Sequence, residues 1–189
     1  MSVILSSIIG CCWGAFVFFW LVSAPWAKVA SEKESVWSGL AHRLPLACSY
    51  VLLAAIHLPP PMNLSVTPYA NWTGVIGASV CGLGLLITLW ARWTLGRNWS
   101  SSVTFKQGHE LIRTGPYRLV RHPIYTGLLV MALGTAFDIG QLRCWLALPL
   151  MTGAFWLKLR REEKLLVRHF PEQYPVYMAQ VKALVPFVI

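Results

Sequence analysis

Long apolar runs without charged residues dominate the pattern of hydrophobic and polar positions along this chain. No Asp, Glu, Lys or Arg occurs in residues 1–27, and none occurs in residues 44–91. A helix needs only about 20 apolar residues to cross a bilayer, so these runs hold several spans. We predict five membrane-spanning helices with these approximate bounds: 3–24, 36–58, 72–93, 124–139 and 142–157.

Prolines and short polar segments explain where the predicted helices end. The consecutive prolines of residues 59–61 cannot continue a helix, and they predict an extended connector after the second span. The polar residues within 138–141 predict a short turn, so the fourth and fifth spans are expected to pair as a hairpin. The fifth helix is expected to continue as an amphipathic extension, RREEKLLVRHF, until Pro171 stops it.

Composition and the distribution of charge indicate how the predicted helices are oriented in the membrane. Apolar residues make up 56% of the chain and charged residues 12%, which excludes a soluble domain of ordinary composition. The net charge of +9 could suggest nucleic acid, but all except one of the 16 basic residues, Arg143, fall on one side of the predicted bundle. The positive-inside rule then predicts a multi-pass integral membrane protein with no nucleic-acid partner. Its amino terminus lies outside, and its carboxyl terminus and active site face the cytoplasm, at the inner membrane if the source is prokaryotic.

The five cysteines all lie within apolar segments and give no sign of a disulfide framework or a metal site. Their number is odd, and no C-x-x-C pair occurs among them. We therefore expect the cysteines to be packing residues and expect no bound metal ion.

A polar motif, GPYRLVRHPIYTG at residues 115–127, stands where the fourth span is predicted to begin. Pro123 suits the first turn of a helix, so unpaired amides and the positive end of the helix dipole would face the cytoplasm, where an anionic group could dock. His122 and Tyr125 are three residues apart and share one face of this helix start. Arg121 contacting lipid phosphate, with Tyr125 in an interfacial aromatic belt, would explain the motif equally well.

This motif is one of several that occur in order: GHELIRTGPYRLVRHPIYTG at 108–127, REE at 161–163, FPEQYPVY at 170–177 and VPF at 185–187. Together they resemble the isoprenylcysteine carboxyl methyltransferase family, whose relatives include the phospholipid N-methyltransferases. The segment NWS at 98–100 is similar to archaeal and bacterial members. The resemblance covers residues 93–187, whereas residues 1–92 match only in consisting of spans. We therefore predict a single membrane domain, with three amino-terminal spans in residues 1–92 and a methyltransferase-like half in residues 93–189.

The resemblance implies an all-α membrane enzyme that uses S-adenosylmethionine. Its cofactor pocket would be cytoplasmic, formed by the connector before the fourth helix and by the extension of the fifth. The implied cofactor-binding residues are His109, Glu110, Leu111, Ile112, Tyr117, His122, Pro123, Ile124, Tyr125 and Glu162. Because the cofactor carries both a carboxylate and cationic groups, Arg121 and Glu163 join this set as charges on its two sides.

The acceptor side departs from the family's pattern at one position. Members with the carboxyl methyltransferase activity usually have an arginine four residues before the first glutamate, where this chain has Lys158. Lysine keeps the charge but lacks the bidentate fork that suits a carboxylate. Either the acceptor is not a carboxylate, or Arg160 or Arg161 takes the place of that arginine. Lys158 and Glu162 share a helix face, and the candidate catalytic residues are Lys158, Arg161 and Glu162.

These patterns predict methyl transfer from S-adenosylmethionine to a lipophilic acceptor, such as an isoprenylcysteine carboxylate or a related membrane lipid. Three alternatives stay open: a phospholipid ethanolamine N-methyltransferase, an NADPH-dependent enzyme similar to sterol reductases, and a non-catalytic subunit binding haem or quinone, with His57 as candidate ligand. Paired glutamates count against the reductase, because two carboxylates poorly suit a cofactor rich in phosphate. Gly10 and Gly14 form a G-x-x-x-G pattern that fits a homodimer or close packing within a monomer.

Overall fold

The structure, a computed structural model, describes residues 2–26, 30–33, 36–55, 58–68, 70–99, 104–106 and 111–188, and it is a bundle of helices. Within these residues lie six α-helices and two short strands: α1 Ser2–Ser23, β1 Ala30–Lys33, α2 Val36–Ala54, α3 Asn71–Leu95, β2 Thr104–Lys106, α4 Pro123–Ile139, α5 Leu142–His169 and α6 Gln173–Gln180. Short 3-10 turns follow α1 and α3 and precede α4: Ala24–Trp26, Gly96–Asn98 and Gly115–Arg118.

Each predicted span overlaps one long helix, although α2 ends at Ala54, before the predicted bound of 58. The third span, predicted at 72–93, is α3, and the fifth runs without a break into its amphipathic extension as α5. Among the described residues, two stretches are apolar enough by length and composition to cross a membrane, and two further apolar helices are shorter: Ile4–Ser23 and Asn71–Asn98, then Gly39–Ala54 and Pro123–Ile139. Membrane insertion of all five helices stays a prediction.

A two-stranded antiparallel sheet, which the prediction did not include, joins two connectors. β1 follows α1 and β2 lies before α4, with Ala30 opposite Lys106 and Lys33 opposite Thr104. Strands this short carry too little periodicity to be recognised, and their pairing joins segments that are distant in the chain. The sheet therefore connects the two segments through a contact that the local sequence does not predict.

Glycines bring α3 and α4 into backbone contact. A Cβ atom added to Gly84 of α3 would lie 2.5 Å from the backbone nitrogen of Met131, and one added to Gly134 of α4 would lie 2.4 Å from that of Cys81. No side chain fits at these distances, so the small residues allow the close approach of the helices. α1 packs mainly against α3 and α2 mainly against α5, which leaves α4 in the centre.

The carboxyl-terminal segment holds the start of α4 in place. The backbone amides of Arg121 and His122 donate at 2.8 and 3.0 Å to successive carbonyls of residues 182–183. Thr126 Oγ1 donates at 2.7 Å to the carbonyl of Leu184. Backbone groups around a helix start have no intrahelical partners, and the tail supplies partners to them. The first turn of α4 is thereby fixed beside α5.

Candidate active site

A cavity of about 300 Å³ lies where α4 begins and where α5 continues beyond its apolar segment. This volume is at the lower end of the range for small-molecule sites. The polar part of its wall consists of these side chains: Asn98, Tyr117, Arg121, His122, Tyr125, Lys158 and Glu162. The apolar part includes residues of α1, α2, α4 and α5: Phe16, Trp20, Leu46, Tyr50, Leu128, Phe155, Leu165 and Leu166. The cavity therefore offers both charged and oily surfaces to its contents.

Stacked rings connect α4 to α5 along this wall. Pro123 takes the first helical position of α4 and His122 directly precedes it, so His122 and Tyr125 fall on one face. Their rings are parallel within 5° with centroids 5.5 Å apart, and Tyr125 stacks on Phe155 at 4.7 Å and 10°. Such stacking gives the Tyr125 ring one orientation. The hydroxyl of Tyr125 is thereby directed toward α5.

Glu162 of α5 accepts a hydrogen bond from this hydroxyl and lies beside His122 and Lys158. Tyr125 Oη donates to Glu162 Oε1 at 2.6 Å, His122 Nδ1 lies 3.6 Å from Oε2, and Lys158 Nζ lies 3.9 Å from Oε1. Lys158 Nζ is also 5.3 Å from the centre of the Tyr125 ring, within cation–π range. The Glu162 side chain is 21% exposed. Its carboxylate is therefore both positioned and accessible to a ligand.

The adjacent carboxylate, Glu163, is buried and does not line the cavity. Its Oε1 lies 2.8 Å from Arg121 Nε, 2.7 Å from Arg121 Nη2 and 3.2 Å from His122 Nε2. Burial opposes ionisation of this carboxyl, but the hydrogen bonds and charges of His122 and Arg121 outweigh burial and hold its pKa below the usual value. Glu163 is therefore an anion that fixes Arg121 and His122 beside the cavity.

The region around α6 supports the same residues from outside. Arg121 Nη1 donates to the backbone carbonyls of Met178, at 3.2 Å, and of Val181. Tyr177 Oη donates to the carbonyl of Tyr117, and burial raises the pKa of Tyr177 to about 12, so this hydroxyl stays a neutral donor. All three guanidinium nitrogens of Arg121 are engaged, so this residue presents positive charge at the cavity but no free bidentate fork.

The structure brings many of the predicted site residues to the cavity, but not all of them. Those that line it are Tyr117, Arg121, His122, Ile124, Tyr125, Lys158 and Glu162. Pro123 and Glu163 lie next to it without lining it, while Leu111 and Ile112 are half-buried elsewhere. His109 and Glu110 lie outside the described residues, and so does His57.

The two arginines considered as alternatives to Lys158 do not line the cavity. Arg161 Nη1 lies 3.1 Å from Nδ1 of His42, a buried residue of α2. Arg160 is exposed, with its guanidinium 5.9 Å from the centre of the Trp156 ring. Along α5, Lys158 is therefore the basic residue whose side chain reaches the cavity wall.

Several cavity residues come from α1, α2 and the turn after α3, and they were not among the predicted site residues. Phe16, Trp20 and Tyr50 line the cavity from apolar helices that carry no motif, so nothing in their local sequence marks them. Asn98 and Trp99 also line it, and they belong to the NWS segment. That segment was the available signal for these two residues.

None of the cysteines in the described residues takes part in a disulfide bond. Cys12, Cys81 and Cys144 are buried in the bundle, whereas Cys11 and Cys48 are exposed, and all five are free thiols. Over the described ranges, no group of three or more His, Cys, Asp or Glu side chains is arranged to hold a metal ion.

Sequence comparison relates the chain to membrane methyltransferases. A family model described as phospholipid methyltransferase matches residues 72–173. The chain is 31% identical over 153 residues to the probable protein-S-isoprenylcysteine O-methyltransferase of Oryza sativa subsp. indica, covering 76% of this chain and 75% of that protein. It is 32% identical over 124 residues to the protein-S-isoprenylcysteine O-methyltransferase of Tribolium castaneum, covering 62% of this chain and 43% of the beetle protein.

The fold is also similar to a solved structure, that of a eukaryotic intramembrane Ras methyltransferase, an isoprenylcysteine carboxyl methyltransferase without a monobody. The TM-score is 0.53 and the sequence identity 26%, over 80% of this chain and 51% of that one. This chain thus spans about half of the solved protein and less than half of the beetle relative.

Proposed function

The chain belongs to the isoprenylcysteine carboxyl methyltransferase family, and from this premise we propose that it transfers a methyl group from S-adenosylmethionine to a prenylated cysteine carboxylate or a closely related lipophilic acceptor. Its relatives are named protein-S-isoprenylcysteine O-methyltransferases. One observation carries the proposal to this chain: the cluster of Tyr125, Glu162 and Lys158 shares a cavity with an extensive aromatic and aliphatic wall.

The residues at the cavity fit the charged groups of S-adenosylmethionine. A volume of about 300 Å³ suits a small molecule. The cofactor carries a carboxylate, an ammonium and a sulfonium, and the wall presents the positive Arg121 and the negative Glu162. We assign cofactor binding to these two residues together with Tyr117, His122 and Tyr125.

Methyl transfer of this kind demands alignment and a dry site rather than a covalent nucleophile. The bound cofactor supplies an electrophilic methyl group, and correct orientation of the reactants can lower the barrier by roughly 7 to 11 kcal/mol. The stack of His122, Tyr125 and Phe155 and the bond from Tyr125 hold the Glu162 carboxylate in place. The apolar wall excludes water from the acceptor's surroundings.

We assign the acceptor's carboxylate to Lys158. This side chain is 11% exposed, and its ammonium lies over the Tyr125 ring and beside Glu162. A positive charge in such a poorly hydrated wall attracts an anionic oxygen more strongly than the same charge would in water. The Lys158 ammonium is a compact point charge and does not require bidentate geometry, so the acceptor can present a single oxygen to it.

The description of the matching family model, phospholipid methyltransferase, supports a second candidate acceptor, the amine of an ethanolamine lipid. Glu162 and the aromatic rings would then stabilise positive charge on nitrogen. Lys158 distinguishes the two acceptors, because its positive charge repels an ammonium and attracts a carboxylate. We therefore favour the carboxylate.

We further propose that all five long helices span the membrane and that the cavity faces the cytoplasm, which the distribution of basic residues supports. In sealed vesicles of known orientation, an impermeant thiol reagent should label Ser65→Cys from the outside. Glu172→Cys, beyond the end of α5, should react only after the vesicles are opened. The reverse labelling order would refute this topology.

The proposed activity is tested with purified protein in lipid, methyl-labelled cofactor and three acceptors: a prenylated cysteine with a free carboxylate, the corresponding amide, and an ethanolamine lipid. We expect label in the prenylated cysteine alone. Glu162→Gln should lose this transfer. The control Glu172→Gln, which alters an exposed glutamate away from the cavity, should leave the transfer unchanged. Label in the ethanolamine lipid alone would show that the methyl acceptor is the amine and not the carboxylate. Failure of the wild type to bind S-adenosylhomocysteine would refute the cofactor assignment.

A further inference from the structure

One carboxamide oxygen in the cavity wall lacks a hydrogen-bond partner among the described residues. Asn98 ends the turn Gly96–Asn98 that follows α3, it lines the cavity, and its Oδ1 is buried without a partner. A buried acceptor without a hydrogen bond is costly in a folded protein, and such groups are commonly satisfied by a ligand or by water. Asn98 is therefore placed to meet a donor group of a bound molecule.

We propose that the Asn98 carbonyl accepts a hydrogen bond from an amino or hydroxyl group of the adenosyl cofactor and that Arg92 positions Asn98 for this contact. The inference rests on the proposed function, because it takes this cofactor as the ligand of the cavity. The adenosyl group carries an amino group on its base and hydroxyls on its ribose. The prenyl chain of the acceptor has no donor and its carboxylate only accepts, which leaves the cysteine nitrogen as its donor, whereas the cofactor offers several; the cofactor therefore suits Asn98 better.

Arg92, near the end of α3, holds the turn that carries Asn98. It is 2% exposed, and its Nη1 donates to the carbonyl of Gly96 at 2.8 Å. Its Nη2 donates at 2.7 Å to the carbonyl of Ser23 at the end of α1, and its guanidinium lies 4.5 Å from the centre of the Trp99 ring. One planar side chain thus fixes residues on both sides of Asn98, which a lysine could not do in the same geometry.

Asn63 provides a matched comparison within the chain. Its Oδ1 is also buried without a partner among the described residues, while its amide nitrogen donates to the carbonyl of Leu58. It lies in the connector between α2 and α3 and does not line the cavity. Of these two asparagines, Asn98 is the one that a ligand of the cavity can reach.

The test measures two quantities on the full chain purified in lipid: S-adenosylhomocysteine affinity by calorimetry, and the unfolding temperature without ligand. Asn98→Leu should bind about 2- to 12-fold more weakly, the equivalent of one neutral hydrogen bond. Its unfolding temperature should stay unchanged or rise, because a buried acceptor that the ligand-free protein leaves unsatisfied is removed. Asn98→Asp keeps the acceptor and should retain wild-type affinity, and Asn63→Leu should bind as the wild type does.

A buried water is the rival explanation, because Arg92 Nε is also buried without a partner among the described residues. A water between Arg92 and Asn98 predicts a lower unfolding temperature of ligand-free Asn98→Leu with unchanged affinity, and that result would overturn the inference. It would leave the proposed function intact, since the wild type would still bind. If Asn98→Leu does not fold, Asn98→Ala compared with Asn98→Asp decides the same question.

Arg92→Lys tests the positioning role through non-additivity. If Arg92 acts through Asn98, this change weakens binding in the wild-type background and adds no further loss of affinity in the Asn98→Leu background. Equal losses in both backgrounds would show that Arg92 acts independently of Asn98 and would overturn its assignment as a positioning residue.

Discussion

Replacing Glu163 by glutamine should separate the roles of the two adjacent glutamates of α5. In the wild type, Glu163 Oε1 contacts Arg121 through Nε and Nη2 and lies 3.2 Å from His122 Nε2. Glutamine keeps the size of the side chain and one carbonyl oxygen, but it removes the negative charge that offsets the buried guanidinium. We therefore expect Glu163→Gln to lower stability instead of removing a direct ligand contact.

The expected loss of stability follows from the burial of the ion pair between Arg121 and Glu163. The side chains of Arg121 and Glu163 are 9% and 5% exposed, and removing one partner of a buried ion pair costs about 3 to 5 kcal/mol. The glutamine oxygen still accepts a hydrogen bond, which retains about 1 kcal/mol. The expected loss is about 2 to 4 kcal/mol, or about 4 to 16 °C in unfolding temperature for a chain of this size.

Thermal unfolding followed by intrinsic fluorescence in one detergent measures this loss, and Glu162→Gln is the matched control. Glu162 is 21% exposed and lines the cavity, so this variant should unfold near the wild-type temperature and lose affinity for S-adenosylhomocysteine. The division of roles is wrong if Glu163→Gln unfolds within about 2 °C of the wild type. It is also wrong if both variants are destabilised alike.

Other changes within the same cluster have defined outcomes. Tyr125→Phe keeps the ring stack but removes the bond to Glu162, so labelled-methyl assays should show kcat/KM reduced about 10- to 160-fold; unchanged kcat/KM would contradict this role. Lys158→Met should raise KM for the carboxylate acceptor without changing S-adenosylhomocysteine affinity, and Lys158→Arg should restore KM. Burial opposes ionisation of Glu163, but His122 and Arg121 hold its pKa below the ordinary 4.5. The cluster therefore stabilises the fold above that pH and loses this contribution as pH falls through the lowered pKa. In an acid-unfolding scan, the stability of Glu163→Gln should fall less steeply with pH than that of the wild type.

The five long helices were predictable because their signal is local, whereas the short α6 was not predicted. Uncharged runs longer than a bilayer span predict α1 and α3 directly, and Pro123 predicts the start of α4. The continuous α5 follows from apolar spacing that persists after the charged residues begin. The paired strands were not predictable, since the pairing of Ala30 with Lys106 depends on the tertiary path of two connectors.

The candidate site was predictable only in part, for a geometric reason. Adjacent helical residues point about 100° apart, so the REE motif does not reveal which glutamate meets a cavity and which meets a packed neighbour. The structure turns Glu162 toward the cavity and Glu163 toward Arg121. The contributions of Phe16 and Tyr50 depend on how α1 and α2 pack, which their own sequences do not encode locally.

The order of residues along one face of α5 links the charged cluster to the apolar wall. Phe155, Lys158, Glu162 and Leu166 all line the cavity at spacings of three or four residues, and at 1.5 Å per residue they extend over about 16 Å. Going along the helix, an apolar residue precedes a cation, an anion and another apolar residue. An amphiphile whose anionic head meets Lys158 therefore has apolar surface within one helical turn. The head also lies next to Glu162, the residue assigned to the cofactor's positive charge. On the proposed assignments one helix positions both reactants, so a change in its direction relative to α4 should disturb acceptor and cofactor together.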